Sequence, residues 1–558
     1  MWIFNHNKKN KIMKNNIIYI IALIIVLLSG ACGKDFLDLT PEDRLTADGY
    51  YNNEDEVRAG TASLYGFPWF DFDDKFSWLA GDCMSGNIYY TYDQEGQFFY
   101  FSFNEGNSHL SAGWKGLFRV ISYANSVIND MPRIAEANVT RDVIDAALGE
   151  ARFIRAAAYF ILAEYWGEVP IVENSTELVT SNNMMLPKNT RKSIYEFIKR
   201  DLEYAEENLK DTDDPGRVTK WSAKGLLAKL YVTMAQDLTD ANSAAYFAKA
   251  KEYAADVINN SGLALMEDYY DLFLIENNNN SESLFALQWM KGRYAIGNSR
   301  NANWARSSII ADQQWGSGKG VTYDFMQNVE DSDLRRHAIC MTLGDYYPDI
   351  DVADGGYTYN FETENPDNPN NPLESPNQVL NHLKKFVVGS SEDTGGEVGT
   401  DQDAGINQYI LRLADVYLIY AEAALGAAES TSDETAMNCF NAIRSRAGLD
   451  SLNSVTFNDI LVERRVEFCL ESMFWFDIKR YFYRNHTAAM DYLNSQEREY
   501  TYNRISTNND PNLWESYELE ETENSYTIHE SQMFLPIPAA EVLVNPKLSE
   551  AAVEYEFD

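Results

Sequence analysis

Two stretches of this chain set aromatic rings beside amides and charges at short spacing. The first, GDCMSGNIYYTYDQEG, carries Asp82, Asn87, Tyr89, Tyr90 and Tyr92. The second, QWMKGRYAIGNSRNANWARSS with the following DQQWGSG, carries Trp289, Arg293, Tyr294, Trp304 and Trp315. Aromatic faces stack on the apolar C–H faces of hydroxylated rings, while Asn, Asp and Arg pair with hydroxyls at the rim. Both stretches are therefore candidate binding segments for a flat, hydroxylated, uncharged ligand. The proposed contacts are Asp82, Asn87, Tyr89, Tyr92, Trp289, Arg293, Tyr294, Trp304 and Trp315. For each ring the competing reading is packing within the loop. Phe98–Phe103 (FFYFSF) reads as a buried strand and is excluded from the set.

A third stretch, ILVERRVEFCLESMFWFDIKR, concentrates charge. Glu463, Glu467 and Glu471 recur at i, i+4 and i+8, which on one helix would align three carboxylates. Paired carboxylates could act as general acid and base. Arg464, Arg465, Lys479 and Arg480 lie close by, however, with Phe468, Phe474, Trp475 and Phe476 interleaved. That mixture is better explained by ion pairs at the edge of a packed helix. The six histidines are scattered without metal-ligand spacing, so neither a metal nor any other cofactor is expected. Catalysis is not expected either.

The N-terminus carries a sharper signal. Lys8, Lys9, Lys11 and Lys14 precede an apolar run from Ile17 to Leu28, followed by Ser29, Gly30, Ala31 and Cys32. The run has signal-peptide length and is too short to span a bilayer. The pattern resembles a bacterial lipoprotein signal, in which the cysteine is acylated and becomes the new N-terminus. It departs from the usual form because Leu28 lies one position further from the cysteine than expected. A plain secretory signal with a bystander cysteine is the alternative. Met13, followed by Lys14, reads as a better start than Met1. Of the remaining cysteines (Cys83, Cys340, Cys439 and Cys469), no pair has CxxC spacing, and the fold is not expected to depend on disulfides.

Composition narrows the ligand class. The chain has 85 acidic against 46 basic residues and a formal charge of −39. Such a surface repels phosphate backbones, which excludes nucleic acid as the main partner. Acidic disordered chains are poor in aromatics, whereas here aromatics reach 13%, so the chain is folded.

The elements that must position these residues are mainly helical. Apolar residues recur with helical period from Val143 to Trp166, where Gly167 and Pro170 stop the helix. A second stripe runs from Ile194 to Leu209 with Thr190 as its N-cap. Two helix pairs look alike: Trp221–Met234 with Ala244–Ile258, and Ile410–Leu425 with Glu434–Ala447. Small residues on their faces permit close approach, as in stacked tetratricopeptide-like pairs. Trp114, Trp166, Trp221 and Trp475 are assigned to the core. Residues 66–110 and 261–405 lack helical period. Ser283–Trp289 and Lys384–Val388 read as strands between Asn-, Gly- and Asp-rich loops. The expected architecture is a rigid helical scaffold carrying an irregular, loop-rich lobe with short strands.

Seven blocks in order resemble the SusD/RagB family of outer-membrane nutrient-binding lipoproteins of Bacteroidota. GKDFLDLTPED after Cys32 is similar to the family's mature start. GEARFIRAAAYFILAEYWGEVPIV and GRVTKWSAKGLLAKLYVTMA are similar to its first long and middle helices. YILRLADVYLIYAEAAL, NAIRSRAGL and ILVERRVEFCLESMFWFDIKR resemble its C-terminal helices, and FLPIPAAEVLVNPKLS its closing segment. The resemblance implies a mainly α fold of about four tetratricopeptide-like helix pairs. It divides the chain into a signal peptide (1–31), an N-terminal region (32–260) and a C-terminal region with the ligand-binding lobe (261–558). It implies a surface-exposed protein, anchored to the outer membrane through Cys32, that passes an oligosaccharide to a SusC-like TonB-dependent transporter. Both aromatic stretches fall where the family's glycan binders carry binding loops. The alternatives are peptide cargo in the same architecture, a helical glycoside hydrolase, and a pure scaffold. The last predicts that the aromatic stretches are buried.

Overall fold

A computed structural model describes residues 50–557 apart from 182–183, 317, 361–379, 505–516 and 522–524. Cys32 and the signal segment lie outside the described residues. The scaffold is a succession of helices: α1 (Glu54–Ala62), α2 (Ser108–Ala135), α3 (Arg141–Trp166), α4 (Arg191–Asn208), α5 (Lys220–Ala235) and α6 (Ser243–Asn260). After a long excursion come α7 (Leu413–Leu425), α8 (Glu434–Arg446), α9 (Phe457–Glu467), α10 (Phe474–Arg484) and α11 (His486–Asn494).

Local chemistry sets the ends. Asn107 caps α2 by accepting from the amides of His109 and Leu110, and Thr190 caps α4 by accepting from that of Ser193. Gly167 ends α3 at φ +76°, where an L side chain would be strained. Each helix from α2 to α7 packs on the next, and α7 also packs on α8, α9 and α5. This is the tetratricopeptide-like array, and it is closed by contact between α6 and α7 across the excursion. Buried side chains from both sides of residue 260 join in one core cluster, which includes Trp114, Trp166, Trp221 and Trp475.

The excursion is irregular, and among the described residues its strands form two-stranded pairs. Two of these tie it to the helices. β2 (Ser283–Leu287) pairs antiparallel with β4 (Gln408–Arg412), which runs directly into α7. β1 (Ile88–Tyr89) pairs antiparallel with β3 (Gly320–Val321), in register Ile88 to Val321 and Tyr89 to Gly320. The second pairing brings the two aromatic stretches side by side.

Three expectations are corrected. The helix expected from Ile410 starts at Leu413, because Gln408–Arg412 is drawn into the ladder with β2. Lys384–Val388 is not a strand; the chain turns at Phe386 with φ +66°. Phe98 and Phe99 are buried as expected, but on a helix (Asp93–Phe99) that ends before Phe101.

The charged block also differs from expectation. α9 ends at Glu467, and Leu470 and Ser472, both at φ +67°, fold the chain back, so Glu471 does not continue the helical face. The charges lie deep inside the molecule. Arg412 donates to Glu282 and Glu467, both at 2.6 Å, and to Glu471 at 2.9 Å. Arg335 reaches Glu463 at 2.6 Å and Glu467 at 3.0 Å, and Arg446 also bonds Glu467. Beside them Arg464 joins Asp415 to Asp477, and Arg480 joins Asp477 to Glu422. Several carboxylates here face two or more cations, which is the condition for burying such charges. Burial raises the Glu467 carboxyl, but Arg446, Arg412 and Arg335 outweigh it and hold it well below the usual range.

Candidate functional site

The site is built on two wide helical turns, Phe72–Phe76 and Leu79–Cys83. The first lies hard against α2 because Gly113 and Gly116 face it without side chains. A Cβ at Gly113 would fall 2.3 Å from the Phe76 ring, and one at Gly116 2.6 Å from the Phe72 amide. From this turn Asp73 is buried against Arg300 at 2.9 Å. Asp74 faces the same segment of the lobe. Its carboxylate lies 3.4 Å from Asn303 Nδ2 and accepts from the Tyr294 hydroxyl at 3.5 Å. Desolvation raises the Asp74 carboxyl above its ordinary value. Tyr294 stands edge-on to Phe70, with ring centroids 4.8 Å apart, and is 46% exposed.

Trp315 lies on the next loop and is 61% exposed. Its backbone is fixed although its ring is not covered. The Trp315 amide donates to the Ala302 carbonyl at 2.8 Å and the Gly316 amide to that of Ala305 at 2.7 Å. A Cβ at Gly316 would come 1.8 Å from the Trp304 carbonyl oxygen, so only glycine permits this approach. Tyr92 precedes the helix Asp93–Phe99 and is 71% exposed. Behind it Glu95 accepts from Lys75 at 2.5 Å, with His109 3.7 Å away.

The structure divides the nine residues singled out in the sequence. Tyr92, Tyr294 and Trp315 present rings to solvent, and Arg293 is exposed beside Tyr294. Tyr89 is half-buried on β1, edge-on to Phe99 at 5.2 Å. Four are corrected. Trp304 is fully buried, edge-on to Trp78 at 6.3 Å and to Phe386 at 6.0 Å. Trp289 is buried edge-on against Phe70. Asp82 is buried and pins the turn after α9, accepting from the amides of Leu470 at 3.0 Å and Ser472 at 2.9 Å. Desolvation pushes its carboxyl up to about 6. Asn87 donates to Asp82 at 3.2 Å and accepts from Arg465 at 3.0 Å. In each case the side chain is part of the floor that carries the loops and does not reach a ligand.

Three polar residues of the site escaped the sequence reading: Asp74, Asn303 and Lys319. Asn303 sits beside Trp304 and could have been weighed with it; Asp74 in FDFDDKF gives no local signal. Among the described residues no cluster of His, Cys, Asp and Glu has metal-binding geometry. The exposed rings line neither of two clefts among the described residues. One, of about 850 Å³, lies between Trp114, Met184 and Leu548; the other, of about 650 Å³, lies between Tyr195, Tyr246 and Tyr555. The three rings are exposed outside both clefts.

A family model described as "SusD family" matches residues 198–555. A second, described as "Starch-binding associating with outer membrane", matches residues 35–232. A SusD-like protein of Bacteroides ovatus is 35% identical over 95% of this chain and 97% of its own length. A crystal structure of a protein with a xylogluco-oligosaccharide superposes with a TM-score of 0.79 at 34% identity, covering 90% of this chain and 99% of that one. A SusD-like protein from Bacteroides fragilis shares the fold at a TM-score of 0.71 with 19% identity, over 91% of this chain and 99% of that one. This chain belongs to the SusD family.

Proposed function

We propose that this protein is a non-catalytic, cell-surface oligosaccharide-binding lipoprotein that hands its cargo to a TonB-dependent transporter. The observation that carries the reading is the set of exposed rings Tyr92, Tyr294 and Trp315, with the Asp74 carboxylate against the Tyr294 hydroxyl. Rings supply stacking area, and the half-buried Asp74 carboxylate and the exposed Arg293 supply hydroxyl partners. Exposed rings admit a chain longer than one sugar, whereas a closed pocket would not. The 34% identical structure containing a xylogluco-oligosaccharide makes xyloglucan fragments the first ligand to try. Family membership supports the outer-membrane setting, and the Lys-rich, apolar, Ser-Gly-Ala-Cys leader supports anchoring at Cys32.

The non-catalytic reading is supported by family membership and by the pairing or burial of several carboxylates, whereas Asp74, with its raised carboxyl beside Tyr294, is the group at the exposed rings that the product analysis tests. Asp73 is paired with Arg300 and Glu95 with Lys75, and Glu463, Glu467 and Glu471 are buried far from solvent. Affinity electrophoresis through gels containing xyloglucan or starch, beside product analysis over hours, tests both halves. Retardation by a glycan without shorter products is expected. Release of shorter oligosaccharides would overturn the non-catalytic reading, and free migration in every gel would overturn the glycan reading.

A further inference from the structure

Lys319 touches both aromatic stretches. Its ammonium donates to the Trp315 carbonyl at 2.8 Å, and the same Nζ lies 4.2 Å above the Tyr90 ring and 5.8 Å from that of Trp78. The residue is almost fully buried. Its own backbone is held as well: the Lys319 amide donates to Gly316 at 3.0 Å, and Arg306 donates to the Lys319 carbonyl. The next residue, Gly320, pairs with Tyr89. One long side chain thus bridges the first stretch, through Tyr90, to the second, through Trp315.

We propose that Lys319 is a positioning residue whose ammonium charge holds the Trp315 platform against the Tyr90 loop, so that glycan affinity falls as Lys319 loses its proton. The proposal rests on the reading of Trp315 as a ligand platform. The charged form does two things that the neutral amine does poorly. It makes a charge-assisted bond to a carbonyl, and it is attracted to the face of a tyrosine ring.

The groups around it decide where the proton is lost. Burial lowers the ammonium, Glu95 raises it, Lys75 and Arg306 lower it, and the Cys83 thiol would raise it if ionised. The result is pushed down to about 8. Cys83 and Tyr90 are themselves raised by burial, so neither titrates in the same interval. Lys319 is therefore charged at neutral pH, and its hold on Trp315 is lost as the pH rises through about 8.

The test compares the wild type with Lys319→Met, which keeps length and apolar bulk, and Lys319→Arg, which keeps charge. Amide hydrogen exchange at Trp315 and Gly316 needs no ligand. In Lys319→Met exchange should be roughly tenfold faster, because the loop loses one charged tether. Equal protection in wild type and Lys319→Met, with unchanged thermal unfolding, overturns the proposal. Calorimetric titration with a xyloglucan oligosaccharide from pH 6 to 9.5 adds the second readout. Wild-type affinity should fall by roughly tenfold across pH 8, Lys319→Met should be weak and pH-independent, and Lys319→Arg should bind without the alkaline loss. A wild-type profile that is flat, or that Lys319→Met reproduces, overturns it. If the wild type does not bind the oligosaccharide but the exchange difference is present, the positioning role stands and the choice of cargo fails.

Discussion

Trp304 and Trp315 are eleven positions apart in one polar, Gly-containing stretch, and they do opposite things. Trp315 projects into solvent from a loop whose amides are fixed, whereas Trp304 is enclosed by Trp78 and Phe386. Trp315→Ala or Tyr294→Ala should weaken glycan binding by roughly tenfold, about 1.4 kcal/mol, with little change in stability, since an exposed ring that stacks contributes on this scale. Trp304→Ala should instead cost about 3–5 kcal/mol of folding free energy, the price of removing a buried aromatic. Thermal unfolding beside titration separates the two; a Trp304→Ala protein of wild-type stability would contradict the assignment. Asp82→Ala should likewise destabilise by about 2–5 kcal/mol, because the Leu470 and Ser472 amides and Asn87 would be left buried without their acceptor. The sequence shows which residue types gather in these stretches. It does not show which face of an irregular loop each one takes, because no periodicity governs a segment without helical or strand repeat. Asp82 and Asn87 look like rim residues by composition and turn out to be floor residues, since the donors that claim them lie nearly four hundred positions away in sequence.

Helical periodicity, by contrast, is carried by every turn, and α3, α4, α5 and α6 lie within a few residues of where their apolar stripes place them. Element ends were legible where a capping residue marks them, as at Thr190 and Gly167. They were not legible where a distant strand competes, as at Gln408–Arg412. The charged block after α8 illustrates the same limit. Its Glu and Arg spacing suits a helix edge, but partners from β4, α8 and the Arg335 segment draw it into the interior. Because three arginines hold Glu467 below its ordinary value, it stabilises the fold above about pH 4.5, its unfolded value, and that stability is lost as the pH falls through its lower folded value. Glu467→Gln should therefore destabilise by about 3–5 kcal/mol at neutral pH and flatten the acid limb of the stability profile, because buried arginines would lose their counter-charge. Chemical denaturation between pH 3 and 7 measures both effects. An unchanged acid limb in Glu467→Gln would show that the network does not act as described.

At the scale of the whole molecule, a helical array carries an irregular lobe; Tyr92 and Trp315 lie a few residues from the paired strands β1 and β3, and Tyr294 lies against Phe70 and Asp74. This arrangement suits capture on exposed rings followed by delivery to a second protein. Cys32→Ala should move the protein from the membrane to the soluble fraction, since two acyl chains anchor stably where one does not. Retention of the variant in washed membranes would count against the anchor. Mild detergent extraction of a tagged wild-type protein at native expression should recover a TonB-dependent barrel with it, and recovery of the tagged protein alone would count against the proposed delivery. The central claim, that the exposed rings bind glycan without altering it, is tested most directly by calorimetric titration of xyloglucan oligosaccharides into the wild type and into a Tyr92→Ala, Tyr294→Ala, Trp315→Ala triple variant. The account predicts saturable binding by the wild type, loss of at least roughly a hundredfold in affinity in the folded triple variant, and oligosaccharide recovered at its original length. A folded triple variant that binds as the wild type does would place the site elsewhere and contradict the account.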